Sequence, residues 1–206
     1  MADNTHLYGF RIAKGHEYVL AAKQRMRVAS GYSPTVGGNN VALSVGDPVI
    51  KVNDGTVAIA TAGVATYGVV VGIGAYFDGT RMTYGKRLPF NTVYGTNLER
   101  QSFVHIVPVQ SGIFEVDCDD KTTATTQAAY TAFIGENVDL INVGDTTAGT
   151  VNPMLDISTH NVANTLAFRI VDIAPTMAQL DFTGLYVKLY VTGNLVQDAP
   201  YTILGI

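Results

Sequence analysis

The chain has 206 residues, 47% of them hydrophobic, which suits one generous domain or a domain with an arm and excludes wholesale disorder. Charged residues make up only 15%, against roughly 25% in an average domain, and Gly, Thr and Val take their place, a mix that favours strands and turns over a helical bundle. The net charge of −4 argues against a protein built mainly to coat nucleic acid, and the single cysteine, Cys118, excludes an internal disulfide or a multi-cysteine metal site.

Residues 1–40 hold five basic side chains (Arg11, Lys14, Lys23, Arg25, Arg27) against two acidic ones, whereas residues 41–206 hold eight basic against fifteen acidic. The first segment ends in the breaker clusters Gly31-Tyr32-Ser33-Pro34 and Gly37-Gly38-Asn39-Asn40. It reads as an extended basic arm, residues 1–40, leading into an acidic β-rich body, residues 41–206. An ordinary first strand or short helix with a polar loop is the competing reading. Glu17 to Ala29 scores as a helix, but Lys23–Val28 also alternates and reads as a weak strand. The start, Met1 to Phe10, lacks a basic stretch followed by an apolar run. The densest apolar run, Val69 to Ala75, is broken by Gly72 and Gly74. Neither a secretory signal nor a membrane span is expected, so the chain is expected to be soluble and made in a cytoplasm.

From Val41 onward, strands alternate with turns. Val49–Val52 and Thr56–Ala60 flank Asn53-Asp54-Gly55, a hairpin signal because Asp and Gly tolerate the positive φ of tight turns. Tyr67–Tyr76 reads as a buried strand. The polar loop Asp78–Arg100 follows, carrying Arg81, Tyr84, Lys86, Arg87, Phe90 and Tyr94 as a possible contact surface. Phe103–Val109 and Ile113–Cys118 make the next strand pair, with Phe114, Val116 and Cys118 on one face. Thr122 to Ile134, Ala-rich and stopped by Gly135, is the one helix expected, over about residues 122–134. Strands are expected at Asp139–Val143, Leu166–Ala174 and Leu185–Thr192. The pattern predicts a mainly β fold, a barrel or sandwich body with one short helix and an extended N-terminal arm.

Catalytic patterns are thin. His6, His16, His105 and His160 show no i, i+4 or H-x-H spacing that aims two imidazoles at one metal; His105 reads as a strand residue and His160 as part of a turn. Cys118 shares its face with Phe114 and Val116 and reads as core rather than nucleophile. Asp117, Asp119 and Asp120 lack the glycine and closing glutamate of a calcium loop, which leaves a solvated strand end. No G-x-S-x-G elbow and no phosphate-binding G-x-G-x-x-G is present. No enzyme activity, cofactor or metal is expected.

The order of motifs is itself informative. Tyr8-Gly-Phe-Arg11 precedes Val45-Gly-Asp-Pro-Val49 and Val69-Val-Val-Gly-Ile73. Then come His105–Val109, Ile113–Val116, the short Ala/Thr helix, Gly135–Leu140, Met154–Thr159, Phe168–Pro175 and Tyr186–Tyr190. This series resembles the capsid decoration, or cement, proteins of tailed bacteriophages over most of the chain. The resemblance implies a structural virion protein on the outer surface of an icosahedral head, stabilising contacts between major capsid subunits. Its implied partners are the major capsid protein and further copies of itself in a homo-oligomer, with no direct nucleic acid and no membrane contact. The arm then supplies the capsid-binding residues: Tyr8, Phe10 and Tyr18 as apolar anchors, and Arg11, Lys14, Lys23, Arg25 and Arg27 as charge partners. A head-fibre or tail-associated adhesin binding host glycans through the Asp78–Tyr94 loop is the rival expectation; the absence of Trp counts against it.

Overall fold

The computed structural model describes residues 9–28, 35–36, 39–40, 42–52, 55–77, 81–88, 102–119, 124–143, 152–174, 182 and 187–197. Two β-modules share one wall. The first is a closed five-stranded barrel with ring order β12-β2-β7-β6-β8. Its strands are β2 (Gln24–Val28), β6 (Pro48–Lys51), β7 (Thr56–Ile59), β8 (Gly68–Ile73) and β12 (Phe103–Pro108). All neighbours in the ring are antiparallel except β2 and β7, which run parallel with Val28 opposite Val57. The second module is a six-stranded antiparallel sheet, ordered β1-β13-β17-β16-β14-β15. These strands are β1 (Arg11–Ile12), β13 (Phe114–Asp117), β14 (Asn137–Val143), β15 (Asn152–Asn161), β16 (Phe168–Ile173) and β17 (Lys188–Gly193).

The remaining strands are two-residue pieces. Thr35–Val36 (β3) pairs with Asn39–Asn40 (β4), Leu43–Ser44 (β5) with Arg87–Leu88 (β11), and Tyr76–Phe77 (β9) with Met82–Thr83 (β10). The body is mainly β, as its composition and alternation imply. The hairpin β6–β7 forms where Asn53-Asp54-Gly55 places it, with Gly55 at φ +77 and the Val52 amide donating to the Thr56 carbonyl at 2.8 Å. The helix is shorter than residues 122–134. It spans Gln127–Ala132 (α1), because the Thr126 hydroxyl accepts from the Ala129 amide at 3.2 Å and so caps it five residues into the expected span. Residues 121–123 lie outside the described residues. Gly135, at φ +93, stands just beyond the helix, where only glycine turns the chain without a Cβ penalty.

Period-two alternation builds two cores from the same barrel strands. Val28, Val49, Val57, Val70, Val104 and Ile106 point into the barrel with Leu43, Tyr67 and Leu88. Val69, Val107 and Val109 point the other way and meet Phe114, Val116, Leu140, Leu155, Phe168, Ile170 and Leu189 from the sheet. A parallel bridge, Cys118 to Leu155, links the end of β13 to the edge strand β15, where the Asp119 amide donates to the Leu155 carbonyl at 2.9 Å. Asp119 is therefore not a solvated strand end: its carboxylate accepts from the Ile157 amide at 3.2 Å. Asp117, 7% exposed, is buried too and sits 2.8 Å from the Lys188 ammonium. His160 lies inside β15 rather than in a turn, because Asn152–Asn161 pairs along β14 through a bulge.

Residues 9–28, expected to be part of an extended arm, run through both modules. The Phe10 amide donates to the Gly46 carbonyl at 2.9 Å, and its ring, 2% exposed, lies 4.7 Å from that of Phe168. Arg11 and Ile12 pair with Glu115 and Phe114. Glu17–Ala22 forms a 3-10 turn, and Gln24–Val28 is a wall of the barrel. The apolar role assigned to Phe10 in partner binding is thus corrected: a ring that shares a core with Phe168 has no surface left for an external partner. Phe10→Ala is expected to lower stability by about 3–5 kcal/mol, the range for emptying a buried aromatic site, as measured by urea unfolding. Tyr18→Ala, at a side chain 67% exposed, is expected to change it by no more than about 0.5 kcal/mol.

Candidate docking surface

The expected contact residues do not form one continuous surface. Tyr8, Phe90 and Tyr94 lie outside the described residues, and Phe10 belongs to the core. Arg25 and Arg27 on β2, with Lys23 just before the strand, form one row. They are exposed because Met26 and Val28, on the alternate positions, face the barrel interior. Arg11, Lys86 and Arg87 come together around a cleft of about 740 Å³ between barrel and sheet, which Val45, Asp47, Val71, Gly72 and Ile73 also line. Lys14 and Tyr18 stand apart in exposed positions, where the Tyr18 hydroxyl lies 3.2 Å from His16 Nδ1. Arg81 and Tyr84 are exposed beside the β9–β10 pair, Tyr84 to 81%.

The row on β2 gains two rings that the sequence reading did not assign to it. Antiparallel register sets His105 opposite Arg25 and Phe103 opposite Arg27. The Arg25 guanidinium lies over the Phe103 ring, 3.7 Å from its centroid. Burial and the neighbouring Lys23 and Arg25 charges, in that order, hold the His105 imidazole below its ordinary range. Beyond His105, on β8, stands Gly72, and beyond Phe103 stands Gly74. A Cβ on Gly72 would sit 3.5 Å from the His105 ring, and one on Gly74 would sit 2.8 Å from the Phe103 carbonyl oxygen. The floor beside the two rings is therefore bare backbone. Gly72 also lines the cleft, so the two cationic groups adjoin across β8.

Charge is divided between the modules. The five barrel strands contain Arg25, Arg27, Lys51 and His105 and no Asp or Glu. The six strands of the sheet contain Glu115, Asp117, Asp139, Asp156 and Asp172 against Arg11, His160, Arg169 and Lys188. Some of these sheet charges compensate one another across strands: Lys188 lies 2.8 Å from Asp117 and 3.8 Å from Glu115, which in turn lies 3.8 Å from Arg11. Arg11 is about half exposed, so its pairing contributes at most about 1 kcal/mol and leaves the guanidinium able to exchange partners.

The chemistry of the remaining reactive groups is subdued. Cys118 is fully buried, 3.7 Å from the Tyr130 hydroxyl, and burial pushes its thiol up to about 12, far from a thiolate at neutral pH. Glu136 and His160 pair at 2.5 Å, and the imidazole packs on Phe133 with ring centroids 4.1 Å apart. Among the described residues, no three His, Cys, Asp or Glu side chains gather as a metal site would require.

Asp47 is the exception. It is 1% exposed beneath the cleft and accepts from the Ser44 amide at 2.7 Å. Burial pushes its carboxyl from an ordinary 3.8 up to about 8, against smaller opposing effects of the Ser44 hydrogen bond and the Arg87 charge. Between those two values the unfolded chain releases a proton that the folded protein keeps, so stability falls as pH rises from about 4 to about 8. Asp47→Asn keeps an oxygen acceptor for Ser44 and removes that proton. Thermal unfolding should show the variant melting close to the parent near pH 4 and above it near pH 8.

Comparison of the chain with protein-family models, with curated proteins and with solved structures finds no match.

Proposed function

We propose that this chain is a non-enzymatic docking protein of a virion: a decoration protein held on the outside of a phage head by its basic barrel. The observation that carries the reading is the segregation of charge, with five barrel strands free of carboxylates in a chain of net charge −4. Complementary potentials orient an approaching partner and reject surfaces of like sign, which suits a protein that must land one way up on a repeating shell. The partner is then an acidic patch of the major capsid protein near the joints between subunits. Lys23, Arg25 and Arg27 dock there first, and Arg11, Lys86 and Arg87 extend the contact. Each exposed ion pair is worth no more than about 1 kcal/mol, so firm attachment requires several copies or several contacts acting together. The order of motifs along the chain supports the same reading.

A second reading has one observation in its favour. Tyr84, almost fully exposed between the exposed Arg81 and Lys86, is a side chain suited to stacking on a sugar, as in a head-fibre or tail-associated adhesin. A glycan array separates the two readings.

Charge reversal tests docking better than deletion of the N-terminal segment, which would remove a barrel wall and Phe10. The triple variant Lys23→Glu/Arg25→Glu/Arg27→Glu keeps both. It should retain the parent's unfolding curve to within a few degrees, yet bind phage heads with at least about ten-fold lower occupancy in co-sedimentation. Heads lacking the protein should lose their DNA at a lower temperature than decorated heads. Parent-level occupancy of the triple variant would remove the barrel from the docking role.

A further inference from the structure

The barrel face carries more than a sign of charge; it carries a spacing. Arg25 and Arg27 occupy alternate positions of β2, about 7 Å apart at twice the rise of about 3.4 Å per residue, and Lys23 precedes Arg25 by two residues at the end of the 3-10 turn. The same pitch separates alternate side chains of any other extended chain. Arg25 is held over Phe103, which limits the freedom it would lose on pairing. His105 and Phe103 form a second rank, and Gly72 and Gly74 leave the adjoining strip without side chains. The ladder to β12 occupies one edge of β2, and the outer face of the strand offers a partner side chains rather than backbone.

We propose that the outer face of β2 and β12 seats an extended acidic segment of a partner protein, with carboxylates at alternate residues that meet Lys23, Arg25 and Arg27, and whose backbone lies over the glycine strip. The proposal rests on the docking reading and names what docks. Polypeptide is favoured over nucleic acid for two reasons. The chain is acidic overall, so a long polyanion is repelled on leaving the strip. The Phe103 face that a base needs for stacking is occupied by Arg25. A second copy of this chain is disfavoured because, among the described strands, only β13 carries carboxylates at alternate positions, and its Glu115 and Asp117 both lie against Lys188.

The test is an NMR titration of the full-length, isotope-labelled protein with three probes of equal length and charge. They are a peptide of about a dozen residues alternating Glu and Thr, a peptide of the same composition with Glu in one block, and an oligothymidylate. The expected result is amide shifts confined to Gln24–Val28 and Phe103–His105 with the alternating peptide, and an affinity about five-fold above that of the block peptide. Arg25→Glu should abolish these shifts while the rest of the spectrum stays dispersed, which separates loss of binding from loss of fold. Equal affinity for the two peptides, tighter binding of the oligothymidylate, or shifts elsewhere on the surface would each overturn the proposal. So would salt-sensitive self-association that Arg25→Glu removes, which would make a second copy the occupant. If the alternating peptide fails while the triple charge reversal still strips protein from heads, the extended acidic occupant is wrong and the docking role stands.

Discussion

Closure of the barrel through β2 is the constraint on which the rest depends. This strand hydrogen-bonds β12 on one side and runs parallel to β7 on the other, so it closes the ring between chain-distant pieces. Once Met26 and Val28 are committed to the interior, the pleat leaves Lys23, Arg25 and Arg27 no direction but outward. Burying the apolar pair thereby aligns the cations. A one-residue slip in register would turn Arg25 and Arg27 into an apolar barrel, at a desolvation cost far above any gain from pairing. Core packing and the exposed charge row are two consequences of one pairing.

The shared wall extends that logic to the second module. β8 and β12 face the barrel with Val70, Val104 and Ile106 and face the sheet with Val69 and Val107. The register shift between His105 and Ile106 is taken up by an extra residue on β8, Val71, and leaves the alternation of β12 unbroken. Phe103, His105 and Val107 therefore share one face of β12, which stands beside the cations at its start and meets the sheet at Val107. A single strand thus serves as functional face at one end and inter-module core at the other. Carboxylates stand on the strands of the sheet, where Lys188 and Arg11 bridge some of them, and the five barrel strands carry none.

Several features were legible in the chain. The Asp54-Gly55 signal marked the β6–β7 hairpin because positive φ is a local demand that few residues meet. Phe114, Val116 and Cys118 are all buried, as their alternation implied. The helix was legible in kind but not in extent, since the Thr126 cap depends on a hydroxyl meeting an amide three residues on. The arm misled for an instructive reason. The alternation of Lys23–Val28 did mark β2, but the short stretch around Phe10 gives no local sign of what covers its ring. Its burial is decided by Phe168, far along the chain, and by the Gly46 carbonyl. Asp117 and Asp119 looked solvated because nothing local shows that Lys188 and the Ile157 amide come to meet them.

By itself, the sequence determined the secondary-structure class, the short hairpins, the alternation within each strand and the imbalance of charge between its first forty residues and the rest. These follow from backbone sterics and side-chain period, which act over a few residues. Only the tertiary structure decided that β2 closes a barrel, that Phe103 and His105 stand beside Arg25 and Arg27, and that Asp47 is shut away from water beneath a cationic cleft. Those outcomes rest on which strands become neighbours. Strand pairing across a hundred residues is settled by the burial of apolar surface over the whole molecule, and no single stretch of the chain contains it.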